Sequence, residues 1–122
     1  MANYLGKEYS VANAAEAIGI LRFALNGTVA QQKAIANNIA NLNVPGYKAE
    51  QVSFQKSLAS ALSQGGNAAI VSKYEQLAPG VNGNNVALPT ETSLLLKNNL
   101  ENQTIDNALT GQFTLIADAI QA

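Results

Sequence analysis

The stretch Ala36-Asn37-Asn38-Ile39-Ala40-Asn41-Leu42-Asn43-Val44-Pro45-Gly46-Tyr47-Lys48 decides how this chain folds. It reads as the end of a long amphipathic helix and the turn that follows. Ile39 and Leu42 continue an apolar stripe begun at Ile18. Four asparagines fall within seven residues, and Asn37 and Asn41 lie one turn apart on roughly the opposite side. Asn is a mediocre helix former, so a merely solvated face would carry Glu, Lys or Gln. Two explanations are open. Either the amides bond to something specific, or a fraying helix end welcomes Asn as a cap. The stop signal is clearer. Val44 precedes proline and is pushed out of the α region. Pro45 presets φ for the second turn position, and Gly46 can supply positive φ at the third. Val44-Pro45-Gly46-Tyr47 therefore predicts a type II turn that aims Tyr47 back onto the helix end or outward at a partner.

Working back, Asn13-Ala14-Ala15-Glu16 has capping-box spacing and predicts a helix over 13–43. Its stripe runs Ile18, Leu21, Leu25, Ile35, Ile39, Leu42, with Thr28 and Gln32 in the two central slots of a heptad alternation. Polar residues in such a seam lower stability but fix register and partner. At 1.5 Å per residue this helix is about 46 Å long, too long for a compact domain of this size.

Working forward, 44–89 is the turn and an irregular middle segment. Val52 to Leu62 begins extended and becomes a short helix that Gly65-Gly66 ends. Ile70-Val71 and Val86-Ala87-Leu88 are candidate short strands, with turn signals at Pro79-Gly80 and Asn82-Gly83-Asn84-Asn85. A second long helix is expected over 90–122, started near Pro89-Thr90-Glu91. Its stripe is Leu95, Asn98, Asn102, Ile105, Leu109, Gln112, Ile116, Ala119, widened by Leu94, Phe113 and Ile120. Amides again interrupt an apolar seam. Gly111 either marks close approach of another backbone or is merely tolerated, at a cost of about 1 kcal/mol.

The expected fold class is mainly α. Two long terminal helices pack antiparallel as a coiled-coil-like hairpin around a middle segment holding a short helix or β-hairpin. The simplest register sets Ile116 and Ile120 near Ile18 and Leu21, and Leu95 near Ile39 and Leu42. Residues 1–12 are expected to be a flexible segment, and the whole to be one structural domain.

Composition excludes most chemistry. Neither Cys nor His occurs, which removes thiol nucleophiles, Ser-His triads and His/Cys zinc sites. The eight acids are scattered and make no catalytic pair, and no Gly-rich phosphate loop follows a strand. An enzyme is not expected, and neither is a cofactor. The net charge of −1, with basic residues scattered singly, argues against nucleic acid. Nothing is apolar enough for a Sec signal or a bilayer span. Charged residues are 12% of the chain while Asn occurs fifteen times. Such a surface, polar without being repulsive, can pack against copies of itself.

The run Ala-Asn-Asn-Ile-Ala-Asn…Pro-Gly-Tyr resembles the signature of flagellar rod, hook and filament-junction proteins. Asn37, Asn38, Ile39, Ala40, Asn41, Pro45, Gly46 and Tyr47 carry the match and stand as the candidate assembly motif. Val44 stands where the family often has Thr. The tail is similar to the proximal-rod subfamily, the FlgB family, through Gly83-Asn84-Asn85-Val86, Glu91, Asn98 or Asn102, and Leu109…Phe113…Leu115…Ala119-Ile120. Ala87 replaces a usual acid there, and Gln112 a common basic residue.

The resemblance implies a structural subunit of the bacterial flagellar basal body. It would be exported unfolded by the flagellar type III secretion system and assembled helically into the torque-transmitting rod, periplasmic where the host has an outer membrane. Implied partners are copies of itself, other rod proteins, and adaptor and export-gate proteins at the rod base. The helix-packing candidates are Ile18, Leu21, Leu25, Ile35, Leu42, Leu95, Ile105, Leu109, Phe113, Ile116 and Ile120. Two rivals are another axial subunit and a cytosolic helical export chaperone or adaptor.

Overall fold

The computed structural model describes the backbone of residues 2–76 and 78–121, with side chains from residue 11 onward. Its elements run α1 (Ala2–Ala40), β1 (Glu50–Ser53), α2 (Gln55–Gln64), β2 (Val71–Tyr74) and α3 (Leu88–Gln121). At 39 and 34 residues, the two long helices span about 58 Å and about 51 Å. They pack along each other. Asn38 lies beside Glu91, while Thr28 meets Asn98 and Asn102. One helix therefore climbs as the other descends, and the antiparallel hairpin expected from the two stripes is the fold.

The boundaries differ from the expectation. Helix α1 begins at Ala2, so Asn13 lies inside it and its capping box goes unused. Between Ala2 and Asn13 there is no proline, and Gly6 costs about 1 kcal/mol without breaking a helix as proline does. The regular helix stops at Ala40. It is followed by tighter turns, with Leu42 N–H donating to Ile39 O at 3.2 Å and Val44 N–H to Asn41 O at 3.1 Å. Helix α3 starts at Leu88, so the strand considered at Val86 to Leu88 does not form.

In the middle segment β1 pairs with β2 antiparallel, Glu50 opposite Tyr74 and Ser53 opposite Val71. Helix α2 sits between these strands in the chain, so they form no tight hairpin. It ends at Gly65, whose φ of 80° no β-branched residue would tolerate.

The seam of α1 is turned from the expected one. Among the described residues, the buried apolar side chains are Ala14, Ala24, Ala34, Ile35, Ala49, Phe54 and Leu109. Ala24 and Asn38 point inward where Leu25 and Ile39 were expected to lead, and both of those are half-buried. The reason is that α1 serves two neighbours, α3 along its length and β1 beside its second half. Gly27 makes room for the second. A Cβ there would stand 2.4 Å from the Phe54 ring, so the absence of a side chain seats that ring on the helix. Phe23 meets the same ring edge-on at a centroid distance of 6.3 Å.

Candidate assembly site

The two sequence signatures, far apart in the chain, meet at one end of the hairpin. The turn forms as its residues dictate. Gly46 holds φ at +75° and Tyr47 N–H donates to Val44 O at 3.3 Å. The second signature docks on it. Gly46 N–H donates to Asn82 O at 2.9 Å, and Asn85 N–H to Tyr47 O at 3.2 Å. Gly83 also has positive φ, and its Cβ position lies 3.3 Å from Gly46 Cα. Both glycines are therefore required, for conformation and for close approach.

Asparagine side chains close the joint. Asn84 Nδ2 donates to Asn41 O at 2.9 Å and Val44 O at 2.8 Å. It ties the carbonyls of the turns that follow α1 to the second signature. Asn85 Oδ1 accepts from Ala49 N–H at 2.6 Å, and its Nδ2 donates to Glu75 O at 3.2 Å. Asn38, 1% exposed, treats Glu50 as a strand would. Its Nδ2 donates to Glu50 O at 2.8 Å while its Oδ1 accepts from Glu50 N–H at 2.9 Å. Tyr47 O–H donates to the same Oδ1 at 3.1 Å. Burial, then the nearby Glu50 charge, raises the Tyr47 phenol above its ordinary range.

A second polar joint lies midway along the hairpin. Thr28, fully buried, bonds its own turn through Oγ1 to Leu25 O at 2.8 Å. Asn98 Nδ2 donates to Thr28 O at 2.8 Å, and Asn102 Nδ2 to Thr28 Oγ1 at 2.9 Å. Thr28 of one stripe thus faces Asn98 and Asn102 of the other. This pairing differs from the expected register. Carried along both helices at equal rise, it sets Ile116 level with Asn13 and Ala14, not Ile18, and Leu95 level with Ala34, not Ile39. Hydrogen bonding at Thr28 fixes what interchangeable aliphatic residues do not. Gln31, rather than Gln32, is the inward glutamine, and its Nε2 donates to Val52 O at 3.0 Å.

The expected residues divide clearly. Of the motif, Asn38 is buried and Ile39, Asn41 and Tyr47 are half-buried, while Asn37, Ala40, Pro45 and Gly46 are exposed. The specific amide of α1 is therefore Asn38. The Asn41 side chain donates back to Asn37 O at 2.7 Å and lies near the Tyr47 phenol. Of the packing candidates, Ile35 and Leu109 are buried, and Ile18, Leu21, Leu25, Leu42, Leu95, Ile105 and Ile116 half-buried. Phe113 and Ile120 are 56% and 76% exposed and do not join the hairpin seam. Gly111 has nothing within 4 Å of a Cβ, so no other element among the described residues approaches it.

Glu91, in the first turn of α3, is fully buried. Desolvation, reinforced by the Glu75 charge, raises its carboxyl above the ordinary range; the nearby Asn38 amide acts the other way. At hydrogen-bond distance that amide serves Glu50, and neither Glu91 oxygen has a partner among the described residues. Only its place near the start of the second helix marked Glu91 in the sequence; its burial was not legible there. Among the described residues no group of three or more acidic side chains could hold a metal ion, and no helix is long and apolar enough to cross a membrane.

Known proteins carry the same pattern. Residues 20–48, the second half of α1 and the turn, match the family described as flagella basal body rod protein. The flagellar basal body rod protein FlgB of Bacillus subtilis is 33% identical over 113 residues, an alignment spanning 76% of this chain and 84% of that protein. FlgB of Aeromonas hydrophila is 30% identical over 106 residues, spanning 73% and 80%. A match over most of both chains, with its strongest motif built into the joint just described, means that this chain belongs to the flagellar basal body rod proteins of the FlgB family.

Proposed function

We propose that this chain is a structural subunit of the proximal rod. It is exported unfolded by the flagellar type III system and self-assembles with its neighbours into the torque-transmitting shaft. Its contacts there are copies of itself, other rod proteins, and the adaptor and export-gate proteins at the rod base. The observation that carries this reading, beside family membership, is the apolar surface the hairpin leaves uncovered. Leu96, Leu100, Phe113, Leu115 and Ile120 of α3 and Val29 of α1 are exposed, and a long thin helix pair has no second layer of its own to cover them. Phe113 and Ile120 lie seven residues apart, on one face, and serve as packing residues between subunits.

The test is Ile116→Asp with Asp118→Asn as its control. Ile116 is half-buried and Asp118 exposed. A carboxylate placed without a partner where water is excluded costs several kcal/mol, whereas export of an unfolded chain does not sense that cost. Normal secretion, loss of the chain from detergent-resistant basal bodies and loss of swimming are expected. Motile cells with Ile116→Asp in their rods would refute the reading. A chain that never leaves the cytosol would indicate the chaperone or adaptor alternative.

A further inference from the structure

Of the fifteen asparagines in the chain, two precede glycine: Asn26-Gly27 and Asn82-Gly83. An Asn-Gly pair is open to a reaction of the chain with itself. Glycine has no side chain to shield its nitrogen from the preceding amide, and its backbone turns freely. The glycine nitrogen, its proton taken by hydroxide, adds to the asparagine Cγ. The side-chain nitrogen then takes a proton from water and leaves as ammonia, and a cyclic imide remains. Water opens that ring at either carbonyl, giving aspartate or isoaspartate. Hydroxide and water are the only co-reactants.

The fold treats the two pairs differently. Asn26 lies within α1, and Gly27 faces the Phe54 ring with no space even for a Cβ. Ring closure carries asparagine away from helical ψ, so it would unwind α1 beneath that ring. Asn82 lies instead in an exposed turn of the assembly joint, next to the fully exposed Val81. Its side chain folds back on its own backbone, with Oδ1 accepting from Asn84 N–H at 3.1 Å. That N–H is aimed at the oxygen on which negative charge grows during attack.

What opposes the reaction at Asn82 is the docking of its backbone. The peptide unit between Asn82 and Gly83 must rotate before the Gly83 nitrogen can reach Cγ, and it is pinned at both ends. Asn82 O accepts from Gly46 N–H at 2.9 Å, and Gly83 N–H donates to Gly80 O at 2.9 Å. Asn84 Nδ2 fastens the same loop to Asn41 O and Val44 O.

We infer that Asn82 is the residue at which this chain deamidates and isomerises, and that docking of residues 79–85 on the turn at Gly46 holds the reaction off. The reaction proceeds in chains whose joint is open. Its isoaspartate product cannot close the joint again. Isoaspartate routes the main chain through the former side chain and adds one methylene before the Gly83 nitrogen. Gly83 already approaches Gly46 so closely that a Cβ on it would stand 3.3 Å from Gly46 Cα, which leaves no room for a displaced backbone. An unclosed joint thereby becomes a permanent one. The chemistry is that of the single chain and does not depend on the rod.

Incubation of the purified chain at mildly alkaline pH, with and without urea, tests this. Tryptic peptides 23–33 and 74–97 carry the two pairs separately, and fragmentation mass spectrometry assigns the modified residue. Without urea, modification is expected at Asn82 and not at Asn26, and urea should speed both. Asn84→Ala removes the two side-chain bonds to α1 and its turn but keeps the main-chain N–H. It should speed the reaction at Asn82 severalfold without urea and leave the rate in urea unchanged. Gly83→Ala, read in urea where the fold plays no part, should slow it severalfold. Chains carrying isoaspartate, separated by chromatography, should melt below the parent. Modification of Asn26 as fast as Asn82 in the folded chain would overturn the assignment, as would a rate in urea that Gly83→Ala leaves unaltered. An equal rate at Asn82 with and without urea, or no acceleration by Asn84→Ala, would overturn the protection by docking. An isoaspartate chain that melts like its parent would overturn the loss of the joint.

Discussion

Replacing Asn38 by alanine should cost far more than replacing its neighbour Asn37. The Asn38 side chain makes three hydrogen bonds, at 2.8, 2.9 and 3.1 Å, and is 1% exposed. A net contribution of about 1 kcal/mol per bond gives about 3 kcal/mol, before any penalty for Glu50 N–H and C=O groups left without partners. That is a large share of the 5–15 kcal/mol or so that holds a typical domain together. Asn37 is exposed, and its replacement should stay within about 0.5 kcal/mol. Asn38→Asp should be worse than alanine. It removes the donor to Glu50 O and brings a charge beside Glu91. Equilibrium urea unfolding of the purified chain measures the difference as a lowered midpoint at unchanged slope. Incorporation into rods measures it in the cell. Equal midpoints for Asn38→Ala and Asn37→Ala would refute the reasoning, because the amide would then not be holding β1 to α1.

Gly27→Ala should destabilise the fold by about 1–3 kcal/mol, since its Cβ would meet the Phe54 ring well inside contact distance; a urea midpoint no lower than that of the parent chain would contradict the ring's seat. Gly111→Ala, in open space, should stabilise the isolated chain by up to about 1 kcal/mol, and failure of that variant to enter rods would place a neighbour's backbone against it. The carboxyl of Glu91 is raised above its ordinary value of 4.5, so its protonated form is favoured in the folded state. The stability this contributes is complete below the unfolded value and is lost as pH rises through the folded one. Glu91→Gln should therefore flatten that decline and raise stability at neutral pH, and an unaltered pH profile in thermal melts would show that Glu91 ionises freely.

The architecture was largely legible because it rests on periodicity and on turn chemistry. Every position of the α3 stripe, from Leu95 to Ala119, is buried or half-buried. The turn at Gly46 follows from proline and glycine alone. The line of α1 was less legible because that helix serves two partners, and one stripe cannot describe two contacts. Asn38 was named in the motif, yet only the arrival of β1 distinguishes it from Asn37 and Asn41. The register was hidden for a related reason. Aliphatic residues pair almost interchangeably, so the hydrogen bonds of Thr28 decide, and their partners lie 70 and 74 residues away. Glu91 had no signal of its burial, because an acid in the first turn of a helix is ordinarily solvated and favoured there by the helix dipole.

The account stands on a hairpin whose register is set by Thr28 meeting Asn98 and on that hairpin persisting in the rod. The chain lacks cysteine, so paired substitutions report register cleanly. Rods isolated from cells and mildly oxidised should yield an internal disulfide for Thr28→Cys with Asn98→Cys. They should yield none for Ile39→Cys with Leu95→Cys, the pair that an aliphatic register would bring together. The reverse outcome, or disulfides only between subunits, would contradict the structure of the helix pair on which the rest depends.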